Sequence, residues 1–209
     1  MFDSLYPTMQ WAQYANRWPH AACSQFVQAG GIRWHVQTMG SGPCLLLLHG
    51  TGSGSFSWRG LMPLLSPHFK IIAPDLPGHA FTSRGPVGSL SLNGMTEGIR
   101  ALMLQLNLTP AIIAGHSAGA AIAANFILQQ RSLQATRLIG LNPAWLPLPG
   151  LPSWIFGPAA KLAALNPLSA WATAKFPKRQ STIDKSIAQT GSKLDAEGMA
   201  LYQQVFSHS

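Results

Sequence analysis

The segment that most constrains the fold is AIIAGHSAGAAIAANFILQQ, residues 111–130. A short apolar run with β-branched residues precedes GHSAG, and an alanine-rich run follows it. This order predicts a strand, a sharp turn and a helix, with Ser117 exposed on the turn as a nucleophile. Small residues at Gly115 and Gly119 would let such a turn pack closely. The N–H of Ala118, at the N-terminus of the helix, could face a developing oxyanion.

Strands and helices alternate through the first two thirds of the chain. Residues 24–38 alternate around a Gly-Gly pair, which predicts an antiparallel hairpin. The apolar runs CLLLLHG, FKIIAPD, PAIIAGHS and ATRLIGLNPA predict four buried strands. Helices are predicted at 91–106 and 118–130, with a short one in FSWRGLMPLLS. The pattern predicts an α/β fold: a mostly parallel sheet, entered by an antiparallel hairpin, with helices on both faces.

The composition changes after residue 144, where the chain becomes rich in Pro, Trp and Leu without a clear strand. We therefore predict an N-terminal extension at 1–23, the N-terminal part of the core at 24–144 and an incomplete helical cap at 145–209. Aromatic side chains of this cap could line an apolar planar pocket or could pack the cap against the core. They are Trp145, Trp154, Phe156 and Trp171.

A glycine-rich loop, HGTGSGSFSW at 49–58, follows the first buried strand. It lacks the Lys of a phosphate-binding P-loop and the GxGxxG register of a dinucleotide site. We interpret it as the other half of an oxyanion hole, in which the N–H of Thr51, which follows Gly50, or also the N–H of Gly52, is the donor. His49 is interpreted as holding the loop by hydrogen bonds rather than as transferring protons.

A third loop, PDLPGHAFTS at 74–83, also follows a predicted strand. Active sites in parallel sheets lie at the carboxyl ends of strands, so Asp75 is a candidate acid. It precedes the serine, however, whereas the order expected on this sheet is Ser, acid, His. We therefore interpret Asp75 and His79 as fixing the loop geometry, and we expect His116 to pack behind the turn of Ser117.

Together the three loops resemble the α/β-hydrolase superfamily over about residues 24–144. More narrowly, WPH, AGGIRWHVQTMGSGPCLLLLHGTGSGSFSWR, APDLPGHAFT, GHSAGAAIAA and LNPAWLPLPG are similar to the magnesium-chelatase accessory hydrolases of bacteriochlorophyll biosynthesis. The sequence departs from the pattern of these hydrolases at two loop positions. One is Ala80, where such hydrolases commonly carry Gly, and the other is Pro143 in LNPA. Dehalogenases and epoxide hydrolases of this fold carry Asp at the elbow, where this chain has Ser117.

The resemblance implies that a cap follows the fourth core strand, and that the acid and histidine of a triad come after later strands. The set Asp184, Asp195 and His208 has the formal order, but no buried strand precedes either acid and His208 is the penultimate residue. We therefore expect a C-terminally truncated fragment with negligible turnover and an exposed apolar sheet edge. The complete protein would attack an ester-type carbonyl with Ser117.

The bulk composition limits the partners. The formal net charge is +8, but the basic residues do not cluster, which indicates a solvated basic surface rather than a nucleic-acid site. Cys23 and Cys44 lack a metal-ligand spacing and are typical of reduced structural thiols in a cytoplasmic protein. We expect no cofactor and no metal. Peripheral membrane contact stays open for 154–174, an apolar stretch that two prolines interrupt.

Two functional hypotheses remain open from the residues and the resemblance. The first is a serine hydrolase that acts as an accessory protein of magnesium-porphyrin synthesis, with magnesium chelatase as a partner. The second is a non-catalytic protein whose apolar pocket binds a porphyrin-type molecule. A generic esterase or a C–C bond hydrolase of another pathway is the alternative enzyme.

Overall fold

The predicted strands form, and so do the helices predicted at 91–106 and 118–130. The structure, a computed structural model, describes residues 9–129, 136–145 and 194–207. Its strands are β1 (Ser24–Ala29), β2 (Ile32–Met39), β3 (Cys44–Leu48), β4 (Lys70–Pro74), β5 (Ile112–His116) and β6 (Arg137–Leu141). Its helices are α1 (Trp11–Tyr14), α2 (Met62–Leu65), α3 (Leu92–Gln105), α4 (Ala118–Gln129) and α5 (Ala196–Ser207), with 3-10 turns at Ala21–Cys23 and Ser55–Trp58.

The six strands form one mixed sheet in the order β1-β2-β4-β3-β5-β6. β1 pairs antiparallel with β2, and β2 pairs antiparallel with β4. β3 pairs parallel with both β4 and β5, and β5 pairs parallel with β6. The predicted fold class, a mostly parallel sheet entered by an antiparallel hairpin, is therefore confirmed.

Side chains of β3 alternate between two apolar cores, one on each face of the sheet. Leu46 and Leu48 are buried with residues of α3 and α4, including Ile99 and Phe126. Leu45 and Leu47 are buried with Trp58 and Met62 on the opposite face. Because a strand covered on both faces has no polar side, its sequence is a continuous apolar run.

A third apolar cluster brings together segments that are far apart in the sequence. Trp18 of the N-terminal segment packs edge-on against Phe56 and Phe81, whose loops follow β3 and β4. Leu201 and Val205 of α5 are buried in the same cluster. The described parts of both ends of the chain therefore pack against loops at the carboxyl edge of the sheet.

Two sequence expectations need correction. The segment ATRLIGLNPA contains β6, as predicted, but its side chains are not buried: Leu138, Ile139 and Leu141 are 36%, 45% and 40% exposed. Among the strands that the structure describes, β6 pairs with β5 alone and therefore forms one edge of the sheet. The predicted single helix in FSWRGLMPLLS is instead the 3-10 turn followed by α2, the second residue of which is Pro63.

The chain divides into two compact units. One contains the residues up to Ala144 together with those from Leu194 onwards, and it holds all the sheet. The other is Trp145–Lys193, of which the structure describes Trp145 alone. The domain limits 1–23, 24–144 and 145–209 stay a prediction.

The packing of α5 predicts that Leu201→Ala destabilises the protein, because Leu201 is 5% exposed beside Phe56. The free energy of unfolding, measured by urea denaturation, should fall by about 2 to 4 kcal/mol, as for other buried leucines. Leu128→Ala is the matched control, since Leu128 is 81% exposed. Its effect should stay within about 0.5 kcal/mol. Equal effects of the two substitutions would contradict the docking of α5.

Candidate active site

Ser117 occupies the turn between β5 and α4 in a left-handed backbone conformation, with φ of 52°. Few residues other than glycine adopt this region, and such strain is concentrated at functional sites. The turn is held by the backbone, since the Ser117 N–H donates to Leu141 O at 3.1 Å and the Ser117 carbonyl accepts from Ala120 N at 3.1 Å. The predicted strand, turn and helix around Ser117 are confirmed.

The two glycines of GHSAG are required because backbone atoms of neighbouring segments lie too close to leave room for a side chain. A Cβ on Gly115 would lie 2.5 Å from the backbone N of Ala120. A Cβ on Gly119 would lie 2.5 Å from the carbonyl O of His49 and would also collide with that of Leu48. Any side chain at either position would push the helix away from the sheet.

The loop after β3 lies directly beside the serine. A Cβ on Gly50 would be 3.2 Å from Ser117 Cβ and 3.1 Å from His116 Nδ1. Thr51, the next residue, is exposed, and Gly52 adopts φ of 70°. Within the described part of the chain, the backbone N–H groups of Thr51 and Ala118 donate to no other group. The structure thus brings together the two loops that the sequence singles out.

His49 is fully buried and uses both ring nitrogens to hold backbone. Nδ1 donates to Gly50 O at 2.8 Å, and Nε2 accepts from the Leu76 N–H at 2.8 Å. Burial, and next the nearby His79, lower the pKa of His49 from 6.5 to about 3. The ring is therefore neutral at pH 7 and connects the loop after β3 to the loop after β4.

Asp75 is a fully buried carboxylate that accepts three hydrogen bonds. Oδ1 accepts from the Ser55 N–H at 2.6 Å, and Oδ2 accepts from the Phe81 N–H at 3.3 Å. The third donor is His35, whose Nδ1 lies 2.7 Å from Oδ2. Burial alone would raise the pKa of Asp75, but His35 and the Ser55 N–H hold it below its ordinary value.

The sequence predicts a structural role for Asp75 but gives no indication of His35 as its partner. The available signal was a lone histidine in the strand IRWHVQTM. The other buried side chains of this strand are apolar, except that of Gln37. Such a side chain needs a polar partner, because a buried polar group without one is costly. The two residues are 40 positions apart in the sequence, so no local pattern indicates that they are partners.

The loop from 76 to 83 has the backbone strain that the family pattern suggests. Ala80 adopts φ of 44°, a left-handed conformation that glycine would adopt without strain. His79 Nδ1 lies 3.0 Å from Pro77 O, and burial lowers the pKa of His79. Burial also lowers the pKa of the half-buried His116.

Of the remaining candidates from the sequence, Trp145 is 51% exposed, Asp195 is bound to other groups, and the others lie outside the described residues. Asp195 forms an ion pair with Arg59 and accepts from the Gly198 N–H at 2.7 Å, so it caps α5. Asp184, His208, Trp154, Phe156 and Trp171 lie outside the described residues.

Among residues 9–129, 136–145 and 194–207, no three His, Cys, Asp or Glu side chains group as metal ligands do. No helix in these ranges is long and apolar enough to cross a membrane.

The close approach at Gly119 predicts that Gly119→Ala lowers the free energy of unfolding by about 3 kcal/mol or more, since backbone carbonyls cannot move aside cheaply. Gly60→Ala is the control, because a Cβ there would meet nothing within 4 Å. That variant should lie within about 0.5 kcal/mol of the original protein. Urea denaturation of both variants checks this. A Gly119→Ala protein as stable as Gly60→Ala would contradict the packing.

The neutral state of His49 predicts acid sensitivity. The unfolded chain binds a proton near pH 6.5, whereas the folded chain resists protonation down to about 3, so stability falls as the pH drops below 6.5. At pH 5 this group alone should cost about 2 kcal/mol relative to pH 7. His79 and His116 act in the same direction, so His49 is isolated by comparing the original protein with His49→Gln. Urea denaturation at pH 7 and pH 5 should show a smaller loss for His49→Gln, and equal losses would contradict a neutral His49.

Comparison with known proteins agrees with the fold. The sequence model of the alpha/beta hydrolase family matches residues 45–205. The Magnesium-chelatase 30 kDa subunit of Rhodobacter capsulatus is 35% identical over 187 residues, which are 88% of this chain and 65% of that protein. A soluble epoxide hydrolase of Corynebacterium is 35% identical over 103 residues, 49% of this chain and 36% of that one.

Solved structures share the fold at low sequence identity. An epoxide hydrolase from Vigna radiata superposes with a TM-score of 0.68 at 23% identity, over 88% of this chain and 67% of that one. The chain spans less than two thirds of the length of either curated relative. Because the family model covers most of the sequence and the sheet has the corresponding topology, the chain belongs to the alpha/beta hydrolase family.

Proposed function

We propose that this chain forms the nucleophile half of a serine hydrolase that acts on an ester-type carbonyl. The observation that carries the proposal is Ser117, which is held at φ of 52° on a strand-to-helix turn beside the loop after β3. A strained turn presents the hydroxyl above the sheet edge, where a substrate carbonyl can approach it. Attack by Ser117 Oγ would form an acyl–serine ester and break the C–O bond of the substrate, whose alcohol leaves with the proton that the general base takes from the serine. Water would then cleave the acyl–serine bond, which releases the carboxylic acid and restores the serine hydroxyl.

The backbone N–H groups of Thr51 and Ala118 are the proposed oxyanion donors. Both are unused within the described part of the chain, and the Gly50 backbone next to Thr51 is adjacent to Ser117. Ala118 begins α4, so its N–H also carries the positive end of the helix dipole. Donors fixed before the reaction stabilise a tetrahedral oxyanion at little reorganisation cost.

The general base and the triad acid belong, in this proposal, to segments other than those that the structure describes. His49 is unsuited, since both its ring nitrogens bind backbone and its pKa lies near 3. His35 is paired with Asp75, and Asp195 caps α5. A base must reach hydrogen-bond distance of the serine and must be oriented by a third group.

The biological role is proposed from similarity to the Rhodobacter capsulatus protein named as a magnesium-chelatase subunit. We assign the complete protein to an accessory step of magnesium-porphyrin or bacteriochlorophyll synthesis, with a porphyrin-type substrate and magnesium chelatase as a partner. We also propose a cytoplasmic location with peripheral membrane contact. The elbow serine argues against epoxide hydrolysis, despite the similarity to an epoxide hydrolase over half of the chain.

Labelling with a fluorophosphonate tests the nucleophile directly. In the longest gene product that contains this chain, Ser117 should be modified at near-stoichiometric yield, and Ser117→Ala should abolish the label. Ser66→Ala is the control, because Ser66 is a partly buried serine whose hydroxyl donates only to Pro63 O among described groups. Mass spectrometry of the labelled peptide identifies the site. Labelling that persists in Ser117→Ala would contradict the assignment.

A non-catalytic role is the second candidate, because the Rhodobacter relative is named as a chelatase subunit rather than as a hydrolase. Pigment synthesis in a strain that carries Ser117→Ala separates the two candidates. Loss of pigment, with protein levels unchanged, supports catalysis. Normal pigment synthesis supports binding without hydrolysis.

A further inference from the structure

His35 is a buried polar residue that the proposed reaction does not use. Its side chain is fully buried, and the centroids of Trp11, Phe26 and Phe81 lie 5.0, 5.4 and 5.1 Å from its ring. Nε2 has no hydrogen-bond partner in the described part of the chain. Among the described residues, the contact of Nδ1 with Asp75 Oδ2, at 2.7 Å, is therefore the one hydrogen bond that the His35 side chain makes.

Asp75 and Leu76 hold the two ends of the glycine-rich loop that follows β3 and lies beside Ser117. The Leu76 N–H donates to His49 at the start of this loop, and Asp75 Oδ1 accepts from the Ser55 N–H at its end. Oδ2 also accepts from the Phe81 N–H, which fixes the following loop. Thr51, whose N–H is the proposed oxyanion donor, lies between the two anchored ends.

The loop needs such anchors because its sequence provides little rigidity. Three glycines alternate with small polar residues in GTGSG, and glycine has the largest backbone freedom. A carboxylate rotates readily about its last torsion, so neighbouring donors decide where its two oxygens point. Because His35 donates to Oδ2, the other oxygen, Oδ1, points towards the Ser55 N–H.

We propose that His35 is a positioning residue of this site: its Nδ1–H orients the Asp75 carboxylate, which keeps the loop that carries Thr51 in place beside Ser117. The inference rests on the proposed function, because a fixed Thr51 N–H promotes catalysis only where an oxyanion forms. The alternative is that His35 contributes to stability alone, as any buried polar residue would.

Gln37 provides a matched control for that alternative. It lies two residues further along β2, is likewise fully buried, and its Nε2 donates to Pro19 O at 2.6 Å and, at 3.3 Å each, to His20 O and Ser24 Oγ. These bonds hold residues 19–24 and do not involve the loop beside Ser117. Gln37→Leu therefore removes buried side-chain hydrogen bonds from the same strand without touching that loop.

The test compares His35→Leu, His35→Asn and Gln37→Leu in the longest gene product that contains this chain. Asn can place an amide N–H close to the position of Nδ1, whereas Leu cannot donate. The measurements are the rate of fluorophosphonate labelling of Ser117, amide hydrogen exchange at Ser55 and Phe81, and urea denaturation.

We expect His35→Leu to slow labelling by about 100-fold, the effect of a displaced catalytic group, and to speed exchange at both amides. His35→Asn should restore most of the rate and the protection. Gln37→Leu should lose stability but keep the labelling rate. An unchanged rate in His35→Leu, or equal slowing in His35→Leu and Gln37→Leu at equal stability, would overturn the inference.

The two proposals fail in different ways. If the original protein does not label at Ser117, the proposed function fails. Amide exchange then still decides whether His35 holds the loop. Faster exchange at Ser55 and Phe81 in His35→Leu, but not in His35→Asn or Gln37→Leu, supports that part of the inference, and unchanged exchange overturns it.

Discussion

The contact between the first turn of α4 and the end of β3 is the constraint on which the carboxyl edge of the sheet depends. Gly119 lies against the carbonyl groups of Leu48 and His49, and Gly115 lies against Ala120. Because these are backbone contacts, they set the distance between the serine turn and the glycine-rich loop without help from side chains. The strained φ of Ser117 follows, since the chain must turn within one residue to bring the helix so close.

Much of the fold and of the site followed from local patterns in the sequence. The hairpin, the strands β3 to β6, and the helices α3 and α4 each have a periodicity or an apolar run of their own. The GHSAG turn was predictable because its glycines and its flanking segments are contiguous. Each of these features depends on residues that are close together in the sequence, so the sequence alone is enough to predict it.

The features that the sequence did not reveal are contacts between distant segments. The pairing of His35 with Asp75 spans 40 residues, and the contact of Ser53 with Tyr202 spans 149. The exposure of β6 depends on its place at the edge of the sheet rather than on its composition. No local pattern encodes which segments meet in the folded chain, so only the three-dimensional arrangement could supply these facts.

The histidines around the serine turn are kept neutral, since burial lowers the pKa values of His49, His79 and His116. Any charge that develops at Ser117 would thus meet backbone dipoles rather than fixed cations on these three side chains. The carbonyl of Ser117 also accepts a hydrogen bond from the Ala144 N–H at 3.2 Å. The N–H of Ser117 donates to Leu141 O at 3.1 Å, so both backbone polar groups of the nucleophile bond to the end of β6 and the residues that follow it. Any displacement of these residues would therefore also displace the backbone of the serine itself.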